Sequence, residues 1–235
     1  MDTVDSEGRD ASEQADAEVE HAAARAEMVR REVIGKGVTH PCVVAAMGAT
    51  PRHRFVPVER QDAAYGGAPL QIGEGQTISA PYVVALMIEA ARPTPLDRAL
   101  EVGAGSGYAA AVLARCVAEV YAVERLAPLA EAARRNLAAT GVANVFVRCG
   151  DGTVGWPDRA PFDIIHVSAG GPSLPRPLLG ELAVGGRLVM PVGRTPRTQR
   201  LVRVVRTEGG FEEDDLCGVQ FVPLIGAAGW SSREL

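Results

Sequence analysis

The chain has 235 residues, a hydrophobic fraction of 47% and a mean hydropathy of +0.05, values that suit one globular domain with length enough to bury a core. Its formal net charge is −5, much of the acidic excess lies in the first twenty residues, and no broad basic stretch marks a nucleic-acid partner. No apolar run approaches the roughly 20 residues that cross a bilayer, and the acidic N-terminus is opposite in character to a signal or transit peptide. A cytoplasmic protein with no membrane partner is expected. Cys42, Cys116, Cys149 and Cys217 form no CxxC pair, so neither a zinc site nor a disulfide framework is expected and the four are read as buried free thiols.

In chain order, residues 1–20 lack apolar periodicity and read as an acidic, disordered tail. Alanines and arginines from about Val19 to Ile34 predict an exposed helix, ended by Gly35 and Gly37. Thr39 is placed to cap a second helix, with Pro41 in its first turn, Val43, Val44 and Met47 on its apolar side, and a stop before Pro51. The stretch Tyr65 to Ser79 holds Gly66, Gly67, Gly73 and Gly75 and reads as a loop of the kind that touches ligands. Pro81 to Ala91 reads as a helix with Val83, Val84, Met87 and Ile88 on one side.

From Arg98 the pattern changes to strand alternating with helix. Short apolar runs fall at Ala99–Val102, Val120–Val123, Val145–Val147, Ile164–Val167 and Arg187–Val192, with helical stretches at Tyr108–Cys116 and Leu126–Ala139. This spacing predicts an α/β fold, a mostly parallel, doubly wound, Rossmann-like sheet covered by helices. Arg200–Thr207 and Phe211–Phe221 predict a closing antiparallel edge, turning at Gly209-Gly210. Residues 21–97 and 98–226 are read as one continuous domain, followed by a tail at 227–235.

The segment Leu100-Glu101-Val102-Gly103-Ala104-Gly105-Ser106-Gly107-Tyr108 follows a strand and opens a helix. Glycines there let the backbone approach a ligand that a β-carbon would repel, and the start of the helix favours an acceptor or negative group. The next strand ends in Glu124, whose carboxylate is placed to accept from two ribose hydroxyls. Three readings compete. One is a strand-to-helix turn without a ligand. Another is a dinucleotide fold: counting from Gly103 puts Tyr108 at the third glycine and fails, whereas Gly105, Gly107 and Ala110 give a tolerated variant. The third adds Glu101, placed to meet a cationic amino group, and Asp151-Gly152 after the third strand, placed for an adenine. An amino acid, a ribose and an adenine in one groove describe S-adenosylmethionine, with S-adenosylhomocysteine as product, and this reading accounts for the most residues.

At this point the sequence resembles the protein-L-isoaspartate O-methyltransferase family from about Val38 to Gly226. Pro51–Pro57 is similar to its PRHxFVP segment, Ile72–Pro81 to its GxGQTISxP loop, and Leu100–Tyr108 to its cofactor loop. Phe162–Ile165 is similar to its central strand, Gly185–Gly193 to its GGxLVxPVG stretch, and Phe221–Leu224 to its FVPL. The resemblance implies that Gln76, Thr77, Ile78 and Ser79 lie over the methyl donor and the entering isoaspartyl group. It also implies that Ser79, with Thr77, serves the reaction, and that Val222, Pro223 and Leu224 shape the substrate groove. Taken alone, Thr77 and Ser79 read equally as caps for the helix near Pro81. A carboxylate is ionised near neutral pH and needs no general base, so His53 and His166 are read as structural. A monomeric enzyme acting on a protein or peptide is expected.

Two segments depart from the family pattern. Gly67 stands where YxDxPL has its acid, and Val167-Ser168-Ala169-Gly170-Gly171-Pro172 replaces the usual VTAAxP. Both fall on the expected substrate side. They leave open a second reading, an enzyme dedicated to an aspartate of one ribosomally made precursor peptide. A non-catalytic module is disfavoured, because Glu101, the three glycines, Glu124 and Asp151 are all in place.

Overall fold

The computed structural model describes residues 17–195 and 197–231. Most of the expected acidic tail, residues 1–16, lies outside them; residues 17–20 form the first turn of α1 (residues 17–28). A π-helical turn at Val29–Val33 and a 3-10 turn at Ile34–Lys36 extend α1, and the chain reverses at Gly37 with φ +93°, a left-handed conformation that suits glycine.

Helix α2 spans Pro41–Ala49, but Thr39 does not cap it. The carboxylate of Glu89, from the far end of α3 (Pro81–Ala90), accepts from the Thr39 and His40 N–H groups at 2.7 Å each. Between α2 and α3 the expected loop contains a short antiparallel pair, β1 (Leu70–Gly73) and β2 (Gln76–Ile78). Its turn uses Glu74 and Gly75, both at positive φ.

The main sheet has seven strands: β3 (Arg98–Val102), β4 (Glu119–Glu124), β5 (Val145–Cys149), β6 (Phe162–Val167), β7 (Leu182–Thr195), β8 (Thr198–Thr207) and β9 (Gly210–Val219). Their order is β5-β4-β3-β6-β7-β8-β9. The first five run parallel, and β8 and β9 close the edge antiparallel, as the sequence predicts. Strand β7 starts earlier than its apolar run, at Leu182, because Gly185 (φ +80°) and Gly186 interrupt the hydrophobic pattern without ending the strand.

Alternate residues of the parallel strands enter two cores. Ala99, Val120, Ala122, Ile164 and Val189 join the core formed with α2, α3 and α4 (Tyr108–Leu113). Leu100, Val102, Tyr121, Val123, Ile165 and Val167 join the other, with Leu178 of α6 (Arg176–Glu181). Helix α5 (Ala127–Ala139) buries Leu129, Ala130, Ala133 and Leu137, a helical stripe.

The expectation of four buried free thiols is corrected. Cys42 in α2 is bonded to Cys116 just after α4, with Cα atoms 5.7 Å apart; Cys149 is exposed and Cys217 half-buried. The packing of α2 against α4 joins two cysteines that sequence spacing leaves unrelated. Among the described residues no helix is long and apolar enough to cross a membrane, and no His/Cys/Asp/Glu group is arranged to hold a metal.

Candidate active site

The sheet positions a cavity at the carboxyl ends of β3, β4 and β6, where open parallel sheets bind ligands. From β3 the chain turns through Gly103 (φ +85°), Gly105 (φ +54°) and Gly107 (φ +89°) into α4. A β-carbon on Gly105 would lie 3.1 Å from Ile72 Cδ1 of β1, inside the cavity wall. Gly107 has another reason to be glycine. Its β-carbon would meet Ala133 and Leu137 of α5 at 3.3 Å, so it lets α4 and α5 approach, and it does not line the cavity.

Glu124 ends β4, and both its oxygens are engaged. Gly105 N–H donates to Oε2 and Leu126 N–H to Oε1, each at 2.9 Å, so this carboxylate ties the glycine loop to the start of α5. Each oxygen keeps a further lone pair, and Glu124 lines the cavity. Glu101 is 1% exposed. Its Oε1 lies 3.4 Å from the Ser168 hydroxyl and 3.9 Å from His166 Nδ1, while Oε2 is buried with no partner. Burial pushes its pKa up to about 8, and the charge of Glu124 adds to the effect. Burial also holds His166 down to about 4.

Asp151 is used differently. Its Oδ1 accepts from Thr153 N–H at 2.8 Å and from the Thr153 hydroxyl at 2.6 Å; its Oδ2 accepts from Ala227 N–H at 2.7 Å. Burial works against ionisation, but these bonds outweigh it and hold the carboxyl below its usual range. Asp151 does not line the cavity, whereas its neighbour Gly152 does, packed so closely that a β-carbon would meet Val102.

The other wall is the β1–β2 hairpin and the chain leading into α3. Gln76, Thr77, Ile78 and Ser79 all line the cavity, and α3 begins after Ala80 with no side-chain cap. The capping role that competes for Thr77 and Ser79 is therefore not used. Val222, Pro223 and Leu224 complete the wall. Backbone bonds of 2.8 Å join Gly170 N–H to Val222 O and Leu224 N–H to Gly170 O, and the Trp230 indole donates to Gly170 O at 2.9 Å.

Of the sequence-derived site residues, Glu101, Gly103, Ala104, Gly105, Ser106, Glu124 and Gly152 thus meet residues 76–79 and 222–224 around one cavity. Sequence reasoning overlooked Ser168, Tyr108, Arg125 and Ile72 as lining residues. Ser168 had a signal, since it follows a parallel strand beside β3, level with the glycine loop. Ile72 had none, because only the hairpin brings it over Gly105. His53 sits elsewhere, its Nδ1 2.7 Å from the Tyr65 hydroxyl and its ring stacked on His21.

Both departures from the family pattern have neighbours that fill the missing volume. A β-carbon on Gly67 would lie 2.6 Å from Glu32 Oε2, so a carboxylate from the π-helical turn occupies that place and pairs with Lys36 at 2.7 Å. A β-carbon on Gly170 would strike the Gln199 carboxamide. That carboxamide donates to Phe221 O at 3.0 Å and accepts from Phe221 N–H at 2.8 Å.

A doubly wound sheet with a glycine turn after β3, an acid ending β4 and a buried acid on β3 defines the class of Rossmann-like methyltransferases. The buried, unpartnered Oε2 of Glu101 and the side-chain-free surface at Gly105 fit a donor that carries an ammonium group and a sugar. The sequence profile of "Protein-L-isoaspartate(D-aspartate) O-methyltransferase (PCMT)" matches residues 24–229. Protein-L-isoaspartate O-methyltransferase 2 of Pelobacter propionicus is 52% identical over 204 residues, 86% of this chain and 91% of that protein. Protein-L-isoaspartate O-methyltransferase 1 of Rhodopseudomonas palustris is 53% identical over 212 residues, 90% and 86% of the two chains. Among solved structures, a protein-L-isoaspartate O-methyltransferase superposes with a TM-score of 0.78 at 28% identity, covering 87% of this chain and 67% of its own. A Plasmodium falciparum structure in complex with S-adenosyl-L-homocysteine gives 0.73 at 26% identity, covering 87% and 98%. The chain belongs to the protein-L-isoaspartate O-methyltransferase family.

Proposed function

We propose that this chain transfers a methyl group from S-adenosylmethionine to the free carboxylate of an L-isoaspartyl residue in a protein or peptide. The observation that carries the reading is the single cavity in which the glycine loop, Glu101 and Glu124 face residues 76–79 and 222–224. S-adenosylmethionine supplies an electrophilic methyl group when bound. Glu101 faces its amino group, Glu124 accepts from its ribose hydroxyls, and Gly152 leaves room for its adenine.

The chain's own task is positioning. An isoaspartyl carboxylate is ionised at neutral pH, so no side chain has to remove a proton before attack. Ser79 and Thr77 orient that carboxylate with hydroxyl donors, Gln76 and Ile78 cover the reacting groups, and Val222, Pro223 and Leu224 exclude water along the peptide. Holding both reactants in line at contact distance is the principal source of acceleration for such a transfer. The methyl ester then leaves as methanol when the following backbone nitrogen attacks, and hydrolysis of the succinimide returns some aspartate.

We place the enzyme in the cytoplasm, as a monomer acting on protein and peptide substrates. The test is transfer from labelled S-adenosylmethionine to peptide pairs differing only in aspartate versus isoaspartate. Labelling of the isoaspartyl member across unrelated sequences supports the reading. Labelling of neither member, with S-adenosylhomocysteine binding intact, overturns it.

A further inference from the structure

Glu101 on β3 and His166 on β6 are partners in register, and Ser168 lies two residues beyond His166, on the same face of the sheet. All three side chains meet. The Ser168 hydroxyl is 3.4 Å from Glu101 Oε1 and 3.3 Å from His166 Nδ1, and His166, like Glu101, is almost fully buried. Among the described residues, the only ion-pair contact of Glu101 is this imidazole, 3.9 Å away. Glu124 at the end of β4 adds a like charge, while the Ala110 backbone of α4 favours the charged form without outweighing burial. A carboxylate so buried faces no Lys or Arg among the described residues, a cost that a buried acid avoids by keeping its proton.

We propose that Glu101 is protonated in the free protein and releases that proton to solvent when a ligand ammonium group arrives, with Ser168 and His166 as positioning residues that serve both states. This rests on the donor-binding reading above. The balance is one carboxylic acid plus one ammonium ion giving a carboxylate–ammonium pair plus one proton. In the free state the Glu101 O–H donates to Ser168 Oγ, whose own hydroxyl donates to His166 Nδ1. In the bound state the direction reverses: His166 Nδ1–H donates to Ser168 Oγ, and the hydroxyl donates to Glu101 Oε1. The hydroxyl can turn because it both donates and accepts, and the imidazole need only exchange tautomers. Oε2, without a partner in the protein, then receives the ammonium.

The measurement is calorimetric titration with S-adenosylhomocysteine at pH 6.5, in buffers of differing ionisation enthalpy. Release of close to one proton is expected, with affinity rising nearly tenfold per pH unit from pH 6 to 7.5. Glu101→Gln should bind with no proton released. Infrared difference spectra of the parent protein, carrying carbon-13 glutamate, should show a protonated carboxyl band lost on binding, a check that needs no variant. Ser168→Ala should bind about tenfold more weakly with the proton count unchanged, and Ser168→Thr should restore affinity. Binding without proton release, or equal release from Glu101→Gln, overturns the proposal while leaving the donor site standing. Absence of binding by the parent protein overturns both.

Discussion

Gly170→Ala tests whether a remote side chain has taken the place of a small one. The new methyl would enter the space of the Gln199 carboxamide, and the backbone on both sides of Gly170 is already bonded to Val222, Leu224 and Trp230. Neither partner can give way freely. Overpacking a filled site costs about 1–3 kcal/mol. Displacing Gln199 forfeits its two bonds to Phe221, each worth about 1 kcal/mol net. A loss of about 3–5 kcal/mol in urea denaturation is therefore expected, with weaker peptide methylation as the 222–224 wall shifts. Gln199→Ala alone should cost about 2 kcal/mol or somewhat more, because Phe221 loses both partners. The double variant Gly170→Ala/Gln199→Ala has room for the methyl and should be about as stable as Gln199→Ala alone. A double-mutant cycle reads this directly. Additive costs would show that the carboxamide does not stand in for the methyl.

Four further outcomes follow from the site. Gly105→Val combines a φ of +54° with a contact to Ile72 and should abolish S-adenosylhomocysteine binding while circular dichroism stays native; tight binding in that variant removes the loop from the donor site. Glu124→Ala loses the charged acceptor of Gly105 and Leu126 and, on the proposed reading, of the ribose, and titration should show binding weaker by about 1.5–3 kcal/mol. Ser79→Ala should slow methyl transfer with donor affinity unchanged, and an unaltered turnover would leave Ser79 as wall only. For pH, the folded-state pKa of Glu101 near 8 lies above its ordinary 4.5. The unfolded chain releases that proton while the folded one keeps it, so stability falls as pH rises through this window. Urea denaturation should record roughly 1.5–2 kcal/mol more stability lost between pH 6.5 and 8 in the parent than in Glu101→Gln, the contribution of the unfolded histidines being common to both; parallel slopes would refute the assignment.

What was legible in the sequence is what depends on neighbours along the chain. The five parallel strands were readable from apolar runs, and the donor loop from a strand, three glycines and a helix within nine residues. Contacts made across the fold were not. Thr39 has the right type for a cap, yet α2 begins after His40 with no side-chain cap, and Glu89, fifty residues from Thr39, holds the Thr39 and His40 N–H groups. Gly107 belongs to the motif by sequence and to the α4–α5 contact by geometry. Asp151 has the position of an adenine ligand, but its oxygens hold Thr153 and the C-terminal chain at Ala227. Cys42 and Cys116 likewise became partners only through the packing of α2 on α4.

The same limit explains why the substrate side looked weaker in sequence than it is in structure. A missing acid at Gly67 and a missing methyl at Gly170 read as losses when only adjacent residues are compared. In the fold, Glu32 brings a carboxylate to the first place and Gln199 fills the second while clamping Phe221. At each place a residue remote in sequence supplies the volume. Two departures that pointed toward a dedicated peptide substrate thus become packing solutions, and the case for that second reading loses the observations it stood on. Gly67→Asp alone would set two carboxylates in one space and should be destabilising, whereas Gly67→Asp with Glu32→Ala should recover most of the loss and leave isoaspartyl methylation intact.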